Sequence, residues 1–412
     1  MKRNLVILGT GFAAFSLIKK IDTKHYDLTV ISPRNHFLFT PLLPSSTVGT
    51  VEFRSIIEPI RTAREGLTFF QAIASKLDTA NKTVQCRNAV SDEVFDVKYD
   101  WLLITVGAAN NTFGIEGVRE NAMFLKEVAD ARSIRTKIID NFERAATPEV
   151  SQEERSRLLH FVIVGGGPTG VEFAAELADF LEEELAESYH DLVKQARITL
   201  VEALGQILNS FDADLSKYAS EVFKRRKISV LTNTPVKEVK PKLLCLKDGS
   251  EIAYGLLVWS TGYTATDFIK SLPFEKDKAG RILTDGYFRV PNEENIFAMG
   301  DCARPESKAF PQTSQVAMQE GKYLGKLFNR MIKKRTPENL GEPFEYNHLG
   351  MLAYIGDEKA LADLPVAKSS GFATWIFWRS AYLTRLVSLK NKVLVLFDWC
   401  KAALFGRDVS RF

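Results

Sequence analysis

The sequence predicts an α/β fold of two Rossmann-like dinucleotide-binding domains, followed by a C-terminal region of amphipathic helices. Three observations carry this reading. Two glycine-rich loops begin 156 residues apart, and each follows a short β-branched strand: Asn4–Leu8 runs into Gly9-Thr10-Gly11-Phe12-Ala13-Ala14, and Phe161–Val164 into Gly165-Gly166-Gly167-Pro168-Thr169-Gly170. Each loop is answered about a hundred residues later by an apolar strand ending in glycine, Trp101–Gly107 and Leu256–Gly262. The tail concentrates tryptophan and basic residues. Glycine in such loops permits the tight strand-to-helix turn and lets backbone N–H groups approach a pyrophosphate, with the helix N-terminus facing the negative charge.

Length and composition fit that reading. A chain of 412 residues, 45% hydrophobic and 25% charged, can build two or three domains with sizeable cores. A net charge of +3 gives no ground for nucleic acid as a partner. Cys86, Cys245, Cys302 and Cys400 form no CxxC or CxxxxC pair, which argues against a disulfide framework or a dithiol relay. The five histidines show no metal-ligand spacing, so no metal is expected. Met1-Lys2-Arg3 leads directly into a strand, leaving no room for a targeting segment, and no stretch reaches the roughly 18 apolar residues of a membrane span. The expected protein is soluble or peripheral, unless a presequence has been removed.

The elements divide the chain at readable points. Residues 1–113 form the first part of one dinucleotide domain, with a second strand Leu28–Ile31 ending at Ser32. Residues 114–160 connect, as a helix and a charged link at Gln152–Arg155. Residues 161–273 repeat the pattern through an acidic helix over Val171–Leu192 and a strand Arg197–Val201 ending at Glu202. Residues 274–335 return to the first domain through Asn295–Asp301, and 336–412 form the tail.

Two dinucleotide loops in one chain are the wiring of a flavoprotein reduced by a nicotinamide cofactor. The flavin set comprises Gly9, Gly11, Phe12, Ala13, Ser32, Thr40, Pro41, Thr105, Gly107, Gly300, Asp301, Val316 and Ala317. In it Ser32 stands where a strand-end acid is usual, and a hydroxyl bonds a ribose less strongly than a carboxylate. Asp301, after an apolar strand and Gly300, is placed for a ribityl or pyrophosphate group at the opening of the next helix. Thr40-Pro41 lies in an apolar stretch, His36–Pro44, that either backs a flat ring or is ordinary core.

The nicotinamide set comprises Gly165, Gly167, Pro168, Thr169, Gly170, Glu172, Glu202 and Gly262. Glu202 can accept from the adenosine ribose diol and would repel a 2′-phosphate, favouring NADH over NADPH. Glu172, in the first turn of the second nucleotide helix, either serves the helix dipole or faces the reacting rings. Gln315 and Gln319 share one helix face. Their uncharged amides either line a site for a carbonyl acceptor such as a quinone or are simply solvated.

From Phe372 onward the tail carries seven Lys or Arg against two Asp, and three of the five tryptophans. Trp375, Trp378, Tyr382, Leu386 and Leu389 fall on one helical face, Asn391-Lys392 interrupts it, and Val393–Phe405 reads as a second helix. An aromatic face with basic flanks suits the membrane interface; the other reading is a helix packed on the protein's own core or on a second copy.

The chain resembles the type II NADH dehydrogenases, single-subunit NADH:quinone oxidoreductases, over nearly its whole length. The resemblance rests on Asn35–Pro44 with Val48-Gly49-Thr50 and Ser55–Pro59, on Val164–Glu172, on Gly300-Asp301, and on Trp378-Arg379, Asp398-Trp399 and Phe405–Asp408. It is nearest in flavour to the mitochondrial-type branch, without that branch's presequence. The resemblance implies non-covalent FAD, NADH as hydride donor, two-electron reduction of a membrane quinone without proton pumping, and a homodimer attached to lipid through its C-terminal helices. It places Gln315 and Gln319 at the quinone, with Ser314 where the family motif has alanine, and Glu172 near nicotinamide and quinone as the catalytic set. It implies a peripheral position on the cytoplasmic face of a bacterial inner membrane, or on the mitochondrial inner membrane if a presequence was removed. The alternatives are a sulfide:quinone oxidoreductase, which needs a reactive cysteine pair beside the flavin, and an apoptosis-inducing-factor-like redox or interaction protein.

Overall fold

A computed structural model describes residues 2–334 and 341–410. The chain forms two compact units, each discontinuous in sequence. The first is Met1–Leu38, Ile57–Ala109 and Tyr263–His348; the second is Phe39–Ile56, Asn110–Gly262 and Leu349–Phe412. The expected boundary at 335/336 lies outside the described residues.

The first unit is organised by a seven-stranded sheet. Five parallel strands run in the order Ile296–Ala298, Trp101–Ile104, Arg3–Leu8, Tyr26–Ser32, Leu67–Asp78. Two antiparallel strands, Thr83–Asn88 and Val94–Lys98, extend it. Leu5, Val6, Ile7 and Leu8 are all fully buried, as expected of a parallel strand covered on both faces. The helix Phe12–Lys20 follows the first glycine loop and lies against the long helix Ser314–Lys334.

The second unit repeats the plan with five parallel strands in the order Met123–Phe124, Leu256–Trp259, His160–Val164, Arg197–Val201, Ser229–Leu231. Every residue of His160–Val164 is buried. Two antiparallel three-stranded sheets are added. One is Val236–Lys240, Leu243–Leu246 and Glu251–Ala253; the other is Met351–Gly356, Lys359–Leu364 and Ala367–Gly371. The helices Phe372–Arg385 and Leu389–Phe405 complete it.

Several elements differ from the sequence reading. The charged link at Gln152–Arg155 is the start of a helix, Gln152–Leu158, because Ser151 caps it by accepting the Glu154 amide at 3.2 Å. The acidic helix is not continuous to Leu192. It runs Pro168–Phe180, widens to a π turn at Leu181–Leu185 and stops at Ser188, where Tyr189 leaves helical geometry with φ −130° and ψ 37°. Gly300–Asp301 opens a single 3₁₀ turn, Gly300–Cys302, and then a strand, Ala303–Pro305; the helix begins only at Ser314.

The tail is also rearranged. The break falls at Leu386–Ser388 rather than at Asn391-Lys392, because Ser388 caps the second helix through the Asn391 amide at 3.2 Å. The expected membrane-facing side is split: Trp378, Tyr382 and Leu386 are buried, Trp378 packing on Tyr354 with ring centroids 5.5 Å apart, while Leu389 at its end is exposed. Tryptophan and tyrosine rings fill the space above the Met351–Gly371 sheet, an element the periodicity did not reveal. A different apolar side faces outward, formed by Phe372, Ile376, Phe377, Leu389, Val393, Leu396, Phe397, Leu404 and Phe405. Among the described residues no helix is long and apolar enough to cross a membrane.

The helix pair of the first unit is held at backbone contact. A Cβ at Gly321 would lie 2.1 Å from the Ala13 carbonyl oxygen, and one at Gly325 2.9 Å from the Lys20 Cβ. Gly321→Ala therefore forces the helices apart and is expected to cost roughly 1–3 kcal/mol. The check is the thermal midpoint of the flavin-loaded protein, which should fall by several degrees; an unchanged midpoint would show that the pair can separate freely.

Candidate functional site

Both units carry the same strand-loop-helix device. In the first, Gly9 has φ +111° and its amide donates to Ile31 O at 2.8 Å; a Cβ there would lie 2.3 Å from Thr105 O. In the second, Gly165 has φ +113°, its amide donates to Val201 O at 2.8 Å, and a Cβ would lie 2.2 Å from Ser260 O. No side chain fits at either position, and positive φ disfavours one independently. The next glycines behave oppositely. Gly11 and Gly167 are the N-caps of the following helices, neither helix end has a side-chain cap, and a Cβ at either touches nothing within 4 Å. Uncapped N-terminal amides beside open space fit a pyrophosphate.

In the first unit Ser32 is buried, with its hydroxyl 3.1 Å from Thr10 Oγ1 and accepting the Arg34 amide at 3.2 Å. Thr105 is buried and donates to Leu8 O at 2.8 Å, fixing the carbonyl that faces Gly9. Gly300, Asp301, Val316 and Ala317 meet in one cleft, also lined by Arg281, Arg304, Phe310, Gln312 and Glu320. Gly300 abuts the loop, its Cβ position being 3.4 Å from the Ala13 Cβ. Gly107, at φ +69°, follows the Trp101–Ile104 strand. Thr40 and Pro41 belong to the second unit, in the single turn Thr40–Leu42.

Gln319 on the long helix is already engaged. Its Nε2 donates to Asn347 O at 2.8 Å and its Oε1 accepts the Asn347 amide at 3.0 Å. One N–H and one lone pair of that amide remain for another partner. Gln315 lies one turn earlier on the same helix.

In the second unit Pro168 and Thr169 open the helix, and Gly170 is required by close approach: its Cβ would lie 2.0 Å from Gly165 O. Ala14, buried in its helix, holds the matching place in the first unit. Glu202 reaches the loop itself, Oε2 accepting the Gly166 amide at 2.6 Å and Oε1 the Leu204 amide at 2.8 Å. Two further lone pairs remain on the carboxylate. Gly262 has no protein atom within 4 Å of a built Cβ, and its carbonyl accepts the Asn111 amide at 2.9 Å.

Glu172 is 6% exposed and accepts the Tyr354 amide at 3.1 Å. Burial, only partly offset by that bond and reinforced by the charge of Glu176, pushes its carboxyl up to about 8, so it carries a proton at neutral pH. Trp378 Nε1 is buried and closes no hydrogen bond of good geometry, although it faces Glu172 and the Tyr382 hydroxyl.

Glu172 heads a row of acids that sequence reasoning missed. Glu176 accepts from Ser45 Oγ at 2.6 Å and Thr50 Oγ1 at 2.8 Å. Asp179 pairs with Arg226 at 2.7 Å and accepts from the Tyr354 hydroxyl at 2.7 Å. The signal was present: acids at i, i+4 and i+7 share a helix face. Glu320, buried beside Gly300, was also missed. Cys302 is fully buried, and burial pushes its thiol up to about 12; Cys86 and Cys245 are also buried, and the four cysteines are free.

This arrangement defines a class: an oxidoreductase with two dinucleotide-binding units. The comparisons agree. The pyridine nucleotide-disulphide oxidoreductase model matches residues 3–321, and the NDH2 C-terminal domain model matches residues 348–408. A probable NADH dehydrogenase of Dictyostelium discoideum is 50% identical, covering 99% of this chain and 91% of the relative. The external NADH-ubiquinone oxidoreductase 2, mitochondrial, of Saccharomyces cerevisiae is 43% identical, covering 99% and 82%. The solved structure of NDH2 from Plasmodium falciparum in complex with NADH superposes with a TM-score of 0.95 at 30% identity, covering both chains fully. The chain belongs to the pyridine nucleotide-disulphide oxidoreductases and, among them, to the type II NADH dehydrogenases; it is an FAD-dependent flavoprotein.

Glu172 gives a pH signature. A carboxyl whose folded pKa is raised contributes stability that is fully present below its ordinary value of 4.5 and lost as pH rises through about 8. Glu172→Gln removes the ionisable group, so its thermal midpoint relative to the native protein should rise from about pH 6 to about pH 9. An identical difference at both pH values would mean that Glu172 is not held neutral.

Proposed function

We propose that this chain oxidises NADH and reduces a membrane quinone by two electrons, with the balance NADH + H⁺ + quinone → NAD⁺ + quinol. The observation that carries the reading is the paired device at Gly9 and Gly165, one uncapped nucleotide loop in each unit, with Glu202 on the second. Bound FAD supplies a two-electron carrier between hydride donor and acceptor.

The residue roles follow from chemistry. Gly9, Gly11, Phe12 and Ala13 present backbone to the flavin pyrophosphate, while Ser32, Thr105, Gly107, Gly300 and Asp301 shape and hold its approach. Val316 and Ala317, buried in the cleft, offer apolar surface to the cofactor. Gly165, Gly167, Pro168, Thr169, Gly170 and Gly262 receive NADH, and Glu202 selects against a 2′-phosphate. Glu172, protonated at neutral pH, holds a proton in the second unit, and Gln315 and Gln319 offer amide groups to a quinone carbonyl.

The outward apolar side of the tail helices is the proposed lipid contact, with Lys390 and Lys392 next to Leu389 and Val393 in sequence and Lys401 paired with Glu52 at 2.6 Å; Arg411 lies outside the described residues. The yeast relative is named mitochondrial. We carry over a peripheral place on a respiratory membrane, the mitochondrial inner membrane or the cytoplasmic face of a bacterial one, with two copies forming a homodimer.

One experiment tests chemistry and surface together. The holoprotein is given NADH with either a water-soluble quinone or a long-chain quinone dissolved in anionic vesicles. NADH should bleach the bound flavin and either quinone should restore it. Phe397→Asp with Phe405→Asp places charge on side chains that are 64% and 83% exposed. This pair should keep turnover with the soluble quinone and lose most of it with the vesicle-borne one. Flavin that NADH bleaches and no quinone restores would overturn the quinone reading; equal vesicle turnover would overturn the lipid face.

A further inference from the structure

Glu320 is used by neither glycine loop, yet its position is tightly determined. Its neighbour Gly321 is the point where the helix Ser314–Lys334 meets Ala13 at backbone distance, so this helix cannot slide or roll against the nucleotide helix. Glu320 is thereby aimed at the turn Gly300–Cys302. It is 3% exposed, and its Oε2 accepts the Gly300 amide at 2.7 Å. Gln312 Nε2 donates to the Asp301 carbonyl at 2.9 Å, so the turn is held from two sides. A carboxylate buried on one backbone amide is costly, and an apolar residue would fill the same space at less cost.

We propose that Glu320 is a positioning residue for the flavin: it fixes the Gly300 amide, and with it the direction of Asp301, and it takes up a proton when the flavin binds. The proposal rests on the reading that the Gly300–Asp301 turn receives the flavin. Geometry supplies the coupling. A Cβ at Gly300 would lie 3.4 Å from that of Ala13, in the first turn of the helix that follows the loop proposed to receive the pyrophosphate, so a cofactor held there would add negative charge and exclude water close to the Glu320 hydrogen bond.

The ionisable groups around it are Asp301 and Cys302 on the same turn, Tyr263 facing Asp301, Arg281 and Arg304 across the cleft, both paired with Asp277, and Lys19 and Lys20 at the far end of the nucleotide helix. Burial first, and then the charge of Asp301, hold the Glu320 carboxyl up at about 7, against the lowering effect of the Gly300 amide. Added phosphate charge and lost water disfavour the anion further, so binding raises this value. Flavin affinity is then full below about pH 7 and falls as pH rises through it.

The test is flavin release from the full-length holoprotein on dilution, read by the fluorescence of free flavin at about pH 6 and about pH 8. The native protein should bind about fivefold more weakly at the higher pH, the part of one pKa unit of coupling that is realised a unit above about 7. Glu320→Gln keeps an oxygen for the Gly300 amide but cannot ionise, so it should hold flavin equally at both pH values. Glu320→Ala should bind about tenfold more weakly at both. A Glu320→Gln protein with the native pH slope, or a Glu320→Ala protein with native affinity, overturns the proposal. Asp301→Ala separates the two readings. If it retains flavin fully, the turn is not a flavin site; if it loses flavin while both Glu320 variants match the native protein, only the role of Glu320 falls.

Discussion

The structure depends on two places where a strand-end carbonyl occupies the space a Cβ would need. Thr105 O stands against Gly9 and Ser260 O against Gly165, at nearly the same distance and the same φ. Each contact lets a nucleotide strand sit directly beside its neighbour while the chain turns into a helix. The turn leaves the helix amides uncapped and pointing away from the protein. Everything assigned to dinucleotide binding hangs from these contacts: the carbonyl is fixed by strand pairing, the turn by the carbonyl, and the helix end by the turn. The repetition of so specific a constraint in both units makes an accidental resemblance between the loops untenable.

Around this shared frame the two units treat charge differently. In the second, Glu172, Glu176 and Asp179 enter the interior on one helix face, each with its own partners: a backbone amide, two hydroxyls, and an arginine with a tyrosine. Only the last is neutralised by a directly contacting cation. Burial without a contacting counter-ion keeps the Glu172 carboxyl protonated at neutral pH rather than a fixed charge. The π turn at Leu181–Leu185 follows directly, and within it Glu182 reaches Arg226 while Glu183 and Glu184 face Arg407. In the first unit the comparable buried acid, Glu320, serves the backbone of a single turn.

What the sequence made legible was local. Runs such as Asn4–Leu8 and Phe161–Val164 are apolar throughout because both faces of a parallel strand are covered, and the glycine spacing after them is a backbone requirement. What escaped it depended on partners distant in sequence. Trp378 and Tyr382 read either as a membrane-seeking stripe or as a helix packed on the protein's own core; they are buried, Trp378 over a sheet at 351–371 whose short strands carry only weak alternation. Gln319 read as an amide that either lines a quinone site or is simply solvated; its engagement with Asn347, 28 residues on, at both ends was not visible. Glu320 could not be distinguished from a solvated helix residue until Gly321 was seen to press that turn against Ala13.

The central claim is a division of labour between two equivalent loops, and a single measurement addresses it most directly. Gly165→Val places a side chain against Ser260 O and should disable only the second loop. The purified variant is assayed for flavin content and for bleaching of that flavin by NADH and by dithionite. Flavin content should be native and bleaching by dithionite full, with bleaching by NADH slowed by at least about a hundredfold, the cost of a few kcal/mol of lost nucleotide binding. Bleaching by NADH at the native rate would contradict that division of labour, because the second loop would then not be where the hydride donor binds.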